Sequence, residues 1–414
     1  MARNTFWSIV GSVASQGSSL LAAFVVARIL GVTEFGRLAL IQATVLMMGT
    51  FSEMGFTLTT TKFVSRWRAL DPGRAGRLVG WSLRMTTISA VVVAALFVVI
   101  GPHLGISGIP ALSKELWAGS VLLVFETLNR VQFGALAGLE AFASTAKINV
   151  ARGVLMLPCV GLGTWYGGLL GAISALAFVS VLTFAIGHWV MRRECGTLSI
   201  PLSYGGSLEP GILATSFSLW ISALLMAGST WAVTVLLARH PSGLSELGLY
   251  NAADKWRTAL LFLPNMLFQV TLPMLSHSHA AGDYAACRRI IFASMASTIS
   301  VTGSAAILVY WLSPVLMSSY GVDFTAGANV LSLGAVVAVV SAIYTVGSSA
   351  LWAVGKPSQM LGLDFFKTSL LLGLCWMGFS NSAWNLMWAH LLTFSAGCAV
   401  ALLVIRKQLG LQRA

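Results

Sequence analysis

Charge is what this sequence has least of. Only 9% of its 414 residues are charged, 25 basic against 13 acidic, where soluble domains carry about 25%. Together with 57% hydrophobic residues, that scarcity excludes an ordinary water-soluble enzyme. Cysteine is sparse as well. Cys159, Cys195, Cys287, Cys375 and Cys398 stand apart without CxxC spacing, so neither a disulfide framework nor a thiolate metal site is expected. GxSxG, HExxH and a phosphate-cradling glycine-rich loop are all missing, which leaves ATP-driven transport and classical hydrolysis without support. No catalytic residue, metal or cofactor is expected. His277 and His279 lack further ligands and read as solvated, while His188, His240 and His390 are isolated.

Apolar stretches are abundant instead. Each of about 20 residues crosses a hydrocarbon core of about 30 Å as a helix. Hydropathy, punctuated by Gly, Pro and charge, predicts spans 5–29, 37–62, 78–101, 115–138, 144–166 and 168–190 in the first half. The second half gives 211–238, 247–273, 289–312, 327–352, 358–379 and 382–405. The first segment is read as a retained helix, because Ser12, Ser15 and Gln16 make its middle too polar for a cleaved signal.

With the amino terminus inside, fifteen bases fall on the inner side (Arg3, Lys62, Arg66, Arg68, Arg74, Arg77, Lys147, Arg192, Arg193, Arg288, Arg289, Lys356, Arg406, Lys407, Arg413). Four fall outside: Arg28, Arg37, Lys114 and Arg239. This bias predicts cytoplasmic termini. The formal charge of +12 would in a soluble protein point to nucleic acid, but here the bases sit mainly in short loops, where they set topology, so no nucleic-acid partner is expected. Trp7, Trp81, Trp117, Trp165, Trp189 and Trp384 near span ends fit an interfacial aromatic belt.

The longest hydrophilic connection, about 191–209, is too short to fold alone. Ala27-Arg28 followed by Thr33-Glu34-Phe35-Gly36 recurs as Ala238-Arg239 followed by Ser245-Glu246-Leu247-Gly248. Each copy closes the first hairpin of a six-span half. An even span count keeps both halves in one orientation, as in parallel repeats. The expected architecture is all-α and polytopic, about 12 transmembrane helices in two six-helix lobes, 1–208 and 209–414, around a cleft formed chiefly by spans 1, 2, 7 and 8.

The stretch Ala-Arg-Ile-Leu-Gly-Val-Thr-Glu-Phe-Gly-Arg-Leu-Ala (27–39) resembles the first-hairpin signature of bacterial polysaccharide repeat-unit flippases in the multidrug/oligosaccharidyl-lipid/polysaccharide exporter superfamily. Leu247-Gly248-Leu249-Tyr250-Asn251-Ala252-Ala253-Asp254-Lys255 leading to Leu272-Pro273 resembles the eighth-helix pattern, and Leu136-Ala137-Gly138-Leu139-Glu140-Ala141-Phe142 the fourth-to-fifth helix connection. The resemblance implies an inner-membrane flippase moving an undecaprenyl-diphosphate-linked oligosaccharide outward, for extracellular polysaccharide or O-antigen synthesis. It also implies membrane lipid, a coupling ion (H+ or Na+) and other polysaccharide assembly proteins as partners.

An ionisable side chain at mid-membrane costs about 2.5–3.5 kcal/mol on insertion scales, so it faces a cavity or a partner. Such positions are Glu53 in span 2, Arg84 in span 3, Glu126 and Arg130 in span 4, Arg152 in span 5, Asp254, Lys255 and Arg257 in span 8, and Asp364 and Lys367 in span 11. Glu126/Arg130 are spaced i,i+4, and Asp254/Arg257 and Asp364/Lys367 i,i+3, which allows pairing along one helix face. Lys255 lies off that face. Arg152 has no carboxylate within its span, which favours a cavity role over a pair with Glu53 or Glu126 on another helix. Arg84 and Arg28 are close enough to the interfaces to snorkel.

Bases exceed acids among these intramembrane positions by two, so the interior is expected to attract anions. The candidate substrate-binding residues are Arg152, Arg130, Lys255, Arg257, Lys367, Arg28 and Arg84, and the candidate ion-coupling acids are Glu53, Asp254 and Asp364. Two other readings remain. A proton- or sodium-coupled multidrug exporter handling organic cations should carry a net acidic lining, and a membrane-embedded glycan polymerase should carry a substantial extramembrane loop. Neither feature is present.

Overall fold

The computed structural model describes residues 2–100, 113–205, 210–262, 282–353 and 357–410, with 264, 265, 271, 274, 275 and 278 between them. Among these residues there is no strand. The helices are α1 (Ala2–Glu53), α2 (Phe56–Trp67), α3 (Pro72–Ile100), α4 (Ser113–Gly138), α5 (Phe142–Thr197) and α6 (Pro210–Ala238). They are followed by α7 (Gly243–Leu260), α8 (Tyr284–Tyr320), α9 (Ala328–Ala353), α10 (Pro357–Leu374) and α11 (Ala383–Gly410).

Two of these are too long to be single spans. At 1.5 Å per residue, the 56 residues of α5 would reach about 84 Å, well beyond a core of about 30 Å. The chain redirects at Gly168 (φ 54°, ψ −134°) in α5 and at Gly31 (φ 75°, ψ 172°) in α1, conformations that side-chain-bearing residues rarely adopt. Pro158 lies inside α5 ahead of that kink. Eight helices are long and apolar enough to cross a membrane among the described residues, including both kinked ones. The twelve predicted spans require each kinked helix to be counted twice and the more polar α4 and α7, which are not among those eight, to be added.

By contacts the chain divides into two compact units. The first comprises Met1–Leu30 and Leu38–Trp231, the second Gly31–Arg37 and Ala232–Ala414. The first unit's core is built from Phe56, Leu78, Leu83, Val131, Leu136, Ile148 and Met191, donated by α2, α3, α4 and α5. Tyr320, Phe324, Leu331, Leu386 and Met387 are among the buried residues of the second.

The recurring motif has a structural explanation inside the second unit. Thr33 and Ser245 hydroxyls lie 2.8 Å apart. A Cβ on Gly36 would overlap the Leu244 carbonyl, and one on Gly248 would overlap the Val32 carbonyl. The two copies therefore meet reciprocally, equivalent residue to equivalent residue, and both glycines are required by the close approach.

The predicted span 37–62 is corrected. Its helix ends at Glu53, Met54 and Gly55 take positive φ (52° and 75°), and α2 restarts at Phe56. The break arises where α6 passes closest, since a Cβ on Gly55 would strike the Ser216 carbonyl. A helix end leaves its last carbonyls unpaired, and the Trp220 indole N–H donates to two of them, Thr50 O at 3.2 Å and Phe51 O at 3.1 Å. Of the predicted span 247–273, α7 covers the part up to Leu260, and most of 263–273 lies outside the described residues.

Candidate functional site

In the first unit the break after Glu53 puts a carboxylate at a helix end, and α4 answers it with a base. Arg130 lies 3.6 Å from the Glu53 carboxylate and donates to the Thr50 hydroxyl at 3.3 Å. One helical turn earlier, Glu126 faces α5, where Arg152 donates to it at 2.5 Å and the Ser180 hydroxyl at 2.6 Å. Asn129 continues that face with a hydrogen bond to the Ser180 carbonyl, 3.0 Å.

Two expectations are thereby corrected. Glu126 and Arg130 do not pair with each other despite their i,i+4 spacing; each turns to a different neighbouring helix, where it gains a charged partner and a hydroxyl instead of one partner alone. Arg152 is not free of carboxylates either, because Glu126 reaches it from α4, the alternative weighed against a cavity role.

The second unit pairs its charges within helices, as their spacing allows. Arg257 donates to Asp254 at 2.6 Å on α7, and Lys367 to Asp364 at 3.4 Å on α10. Aromatic groups then shield them. Lys367 sits 4.7 Å from the Tyr344 ring centroid and 5.4 Å from that of Phe394, in reach of a cation–π attraction. The Tyr344 hydroxyl donates to Asp364 at 3.0 Å. On α7, Tyr250 shares a face with Asp254 and Arg257, and its hydroxyl lies 2.9 Å from His390 Nε2. The His390 ring stacks between Tyr250 and Phe394.

His390 is the residue that the sequence reading missed. Nothing around it in the chain marks it out, and only the fold brings α7 and α11 together. Tyr250 was more accessible, being four residues before Asp254 and so on the same face.

The pairing resolves the charge surplus. Glu53, Glu126, Asp254 and Asp364 each hold one base: Arg130, Arg152, Arg257 and Lys367. The two bases left over are Arg84 and Lys255. Arg84 donates to the Tyr204 carbonyl at 3.3 Å and is exposed. Arg28 is also exposed, three residues before the Gly31 kink.

Lys255 differs from both. Twelve residues into α7, it lies about 18 Å along the helix axis from the helix start. It is only partly exposed, and among the described residues no carboxylate lies within ion-pair distance of it. Beside the paired Asp254 and Arg257 it is a base that holds no ion pair among the described residues. No group of three or more His, Cys, Asp or Glu suited to a metal ion is found among the described residues. His277 and His279 lie outside them.

A profile of the family described as "Polysaccharide biosynthesis protein" matches residues 1–279. Over 288 residues the chain is 23% identical to the EPS I polysaccharide export inner membrane protein EpsE of Ralstonia nicotianae. That alignment covers 66% of this chain and 62% of the relative, so the chain spans less than two thirds of the curated protein it matches. Among solved structures it is similar to an inward-facing multidrug resistance MATE family transporter of the MOP superfamily, with TM-score 0.82, 12% identity, and coverage of 98% of this chain and 100% of the other. A Pyrococcus furiosus MOP superfamily transporter, described as having a binding pocket of reverse polarity that suggests a different function, matches with TM-score 0.66 and 12% identity over 100% of this chain and 96% of that one. These likenesses establish the fold.

Proposed function

The chain belongs to the polysaccharide biosynthesis protein family, and from that premise we propose that it is an inner-membrane flippase carrying an undecaprenyl-diphosphate-linked oligosaccharide from the inner to the outer leaflet. The observation that carries this reading is Lys255, the half-buried base left over when the four acids of the predicted spans are paired. A diphosphate drawn through the membrane needs a counter-charge, and Lys offers a movable one.

Arg130 and Arg152 are the next candidate contacts, since each can exchange a carboxylate oxygen for a phosphate oxygen while keeping its planar fork charged. Arg130, at 3.6 Å from Glu53, is the more loosely held. Arg257 and Lys367 contribute through their pairs, and Arg28 and Arg84 at the two interfaces. Glu53, Asp254 and Asp364 are the acids to which H+ or Na+ would couple. With an inside-negative potential each negative charge moved outward gains about 2.3 kcal/mol per 100 mV, so a dianion gains about twice that. The potential therefore favours export even without an ion.

The reading includes twelve spans, cytoplasmic termini, lobes at 1–208 and 209–414, and no catalytic step. A multidrug exporter shares the fold, and the MATE likenesses favour it as a second reading. A site for organic cations is at odds with an unpaired interior lysine. Removing the protein from cells decides between the two: the proposal expects a lipid-linked glycan to accumulate on the inner leaflet, and unchanged glycan export with raised drug sensitivity would sink it.

A further inference from the structure

Most inner-side bases that have partners hold them tightly. Arg68 pairs with Glu140 at 2.6 Å, Arg74 with Asp71 at 3.2 Å, and Arg193 lies over the Trp189 ring. Arg288 and Arg289 differ. Both are exposed, neither has an acidic partner among the described residues, and both line a cavity of about 580 Å³ with Ala285, Ile291, Phe292 and Met295.

The lining has an order. Asp283 caps the start of α8 by accepting from the Ala286 amide at 2.8 Å, so anion affinity here comes from the two guanidinium groups rather than from free backbone amides. Four residues on, about 6 Å deeper along the axis, comes Phe292, 77% exposed, followed on the same stripe by Met295 and the exposed Ile299. The positive-inside orientation puts the arginines at the inner interface and this apolar track below it. The span at Ala285–Tyr320 shares the lowest buried share of its apolar window among the candidate spans, 22%, which leaves most of that window open to lipid.

We propose that this cavity is a binding site for an anionic phospholipid of the inner leaflet, its phosphate held by Arg288 and Arg289 and its acyl chain laid along Phe292, Met295 and Ile299. Each base near an anionic headgroup strengthens binding several-fold, and a basic pocket beside apolar helix surface is how membrane proteins select such lipids. The site does not depend on what the protein transports.

The test counts lipids retained by the purified full chain in detergent doped with phosphatidylglycerol, phosphatidylcholine or undecaprenyl diphosphate, by native mass spectrometry. The wild type should retain phosphatidylglycerol. Arg288→Gln with Arg289→Gln should lower that retention about tenfold and leave phosphatidylcholine unchanged, while Arg288→Lys with Arg289→Lys should keep most of it. Phe292→Ala should lower retention with both arginines intact, which keeps the proposal testable if the double glutamine variant folds poorly. Equal phosphatidylglycerol retention by wild type and the double glutamine variant overturns it. So does a parallel fall in phosphatidylcholine, and so does arginine-dependent retention of undecaprenyl diphosphate alone, which would make the cavity a substrate entry point.

Discussion

The two units solve the same problem, charge inside a membrane, in opposite ways. In the first, ion pairs cross between helices: Glu53 of α1 with Arg130 of α4, and Glu126 of α4 with Arg152 of α5. In the second they close within one helix, Asp254 with Arg257 and Asp364 with Lys367. Exposure does not explain the difference, since the paired side chains are 14–28% exposed in the first unit and 15–26% in the second. What differs is the stage at which neutrality is reached. A helix carrying an i,i+3 pair is neutral before it packs, so packing can recruit aromatics, as Tyr250, Tyr344, His390 and Phe394 are recruited. The span carrying Arg152 has no acid of its own and is neutralised only once α4 is in place, and on α4 the charges of Glu126 and Arg130 go to different neighbours, which makes each pair a tie between helices.

The largest expected effect follows from that distinction. Arg152→Ala should cost about 1.5–3 kcal/mol, the range for a charged hydrogen bond broken with its partner left behind, read as a fall in thermal stability. Adding Glu126→Gln should recover most of it, and a double variant no more stable than the single one would break the comparison.

A smaller effect is expected in the second unit. Lys367→Met removes an intrahelical pair and two ring contacts, yet Asp364 keeps the Tyr344 hydroxyl, so a loss of about 1–2 kcal/mol is expected. A loss exceeding that of Arg152→Ala would show that the intrahelical pairs also tie helices together. Tyr250→Phe, which removes only the bond to His390, should cost about 0.5–1.5 kcal/mol. No measurable change in its thermal midpoint would mean that stacking alone seats His390.

Much of this was legible in the sequence because it is local. Span positions follow from runs of apolar residues, and Asp254–Arg257 and Asp364–Lys367 follow from spacing. The cross-helix pairs were not, because i,i+4 spacing at Glu126 and Arg130 permits a bond that the neighbouring helices outcompete. The break at Met54–Gly55 was hidden for a similar reason: its cause is the Ser216 carbonyl, more than 150 residues away. His390 is the clearest case, since its partners Tyr250 and Phe394 define it and only one of them is near it in sequence. The charge surplus of two, in contrast, was readable from a count alone, and the fold says which residues it belongs to.

Lys255 is where the functional account rests. The most direct measurement compares Lys255→Met and Lys255→Arg, expressed to wild-type abundance in cells lacking the native protein, by the amount of undecaprenyl-diphosphate-linked oligosaccharide held on the inner leaflet. The account predicts accumulation near that of the deletion for Lys255→Met and partial export for Lys255→Arg, because the charge is kept while its geometry changes. Wild-type export by Lys255→Met would contradict it.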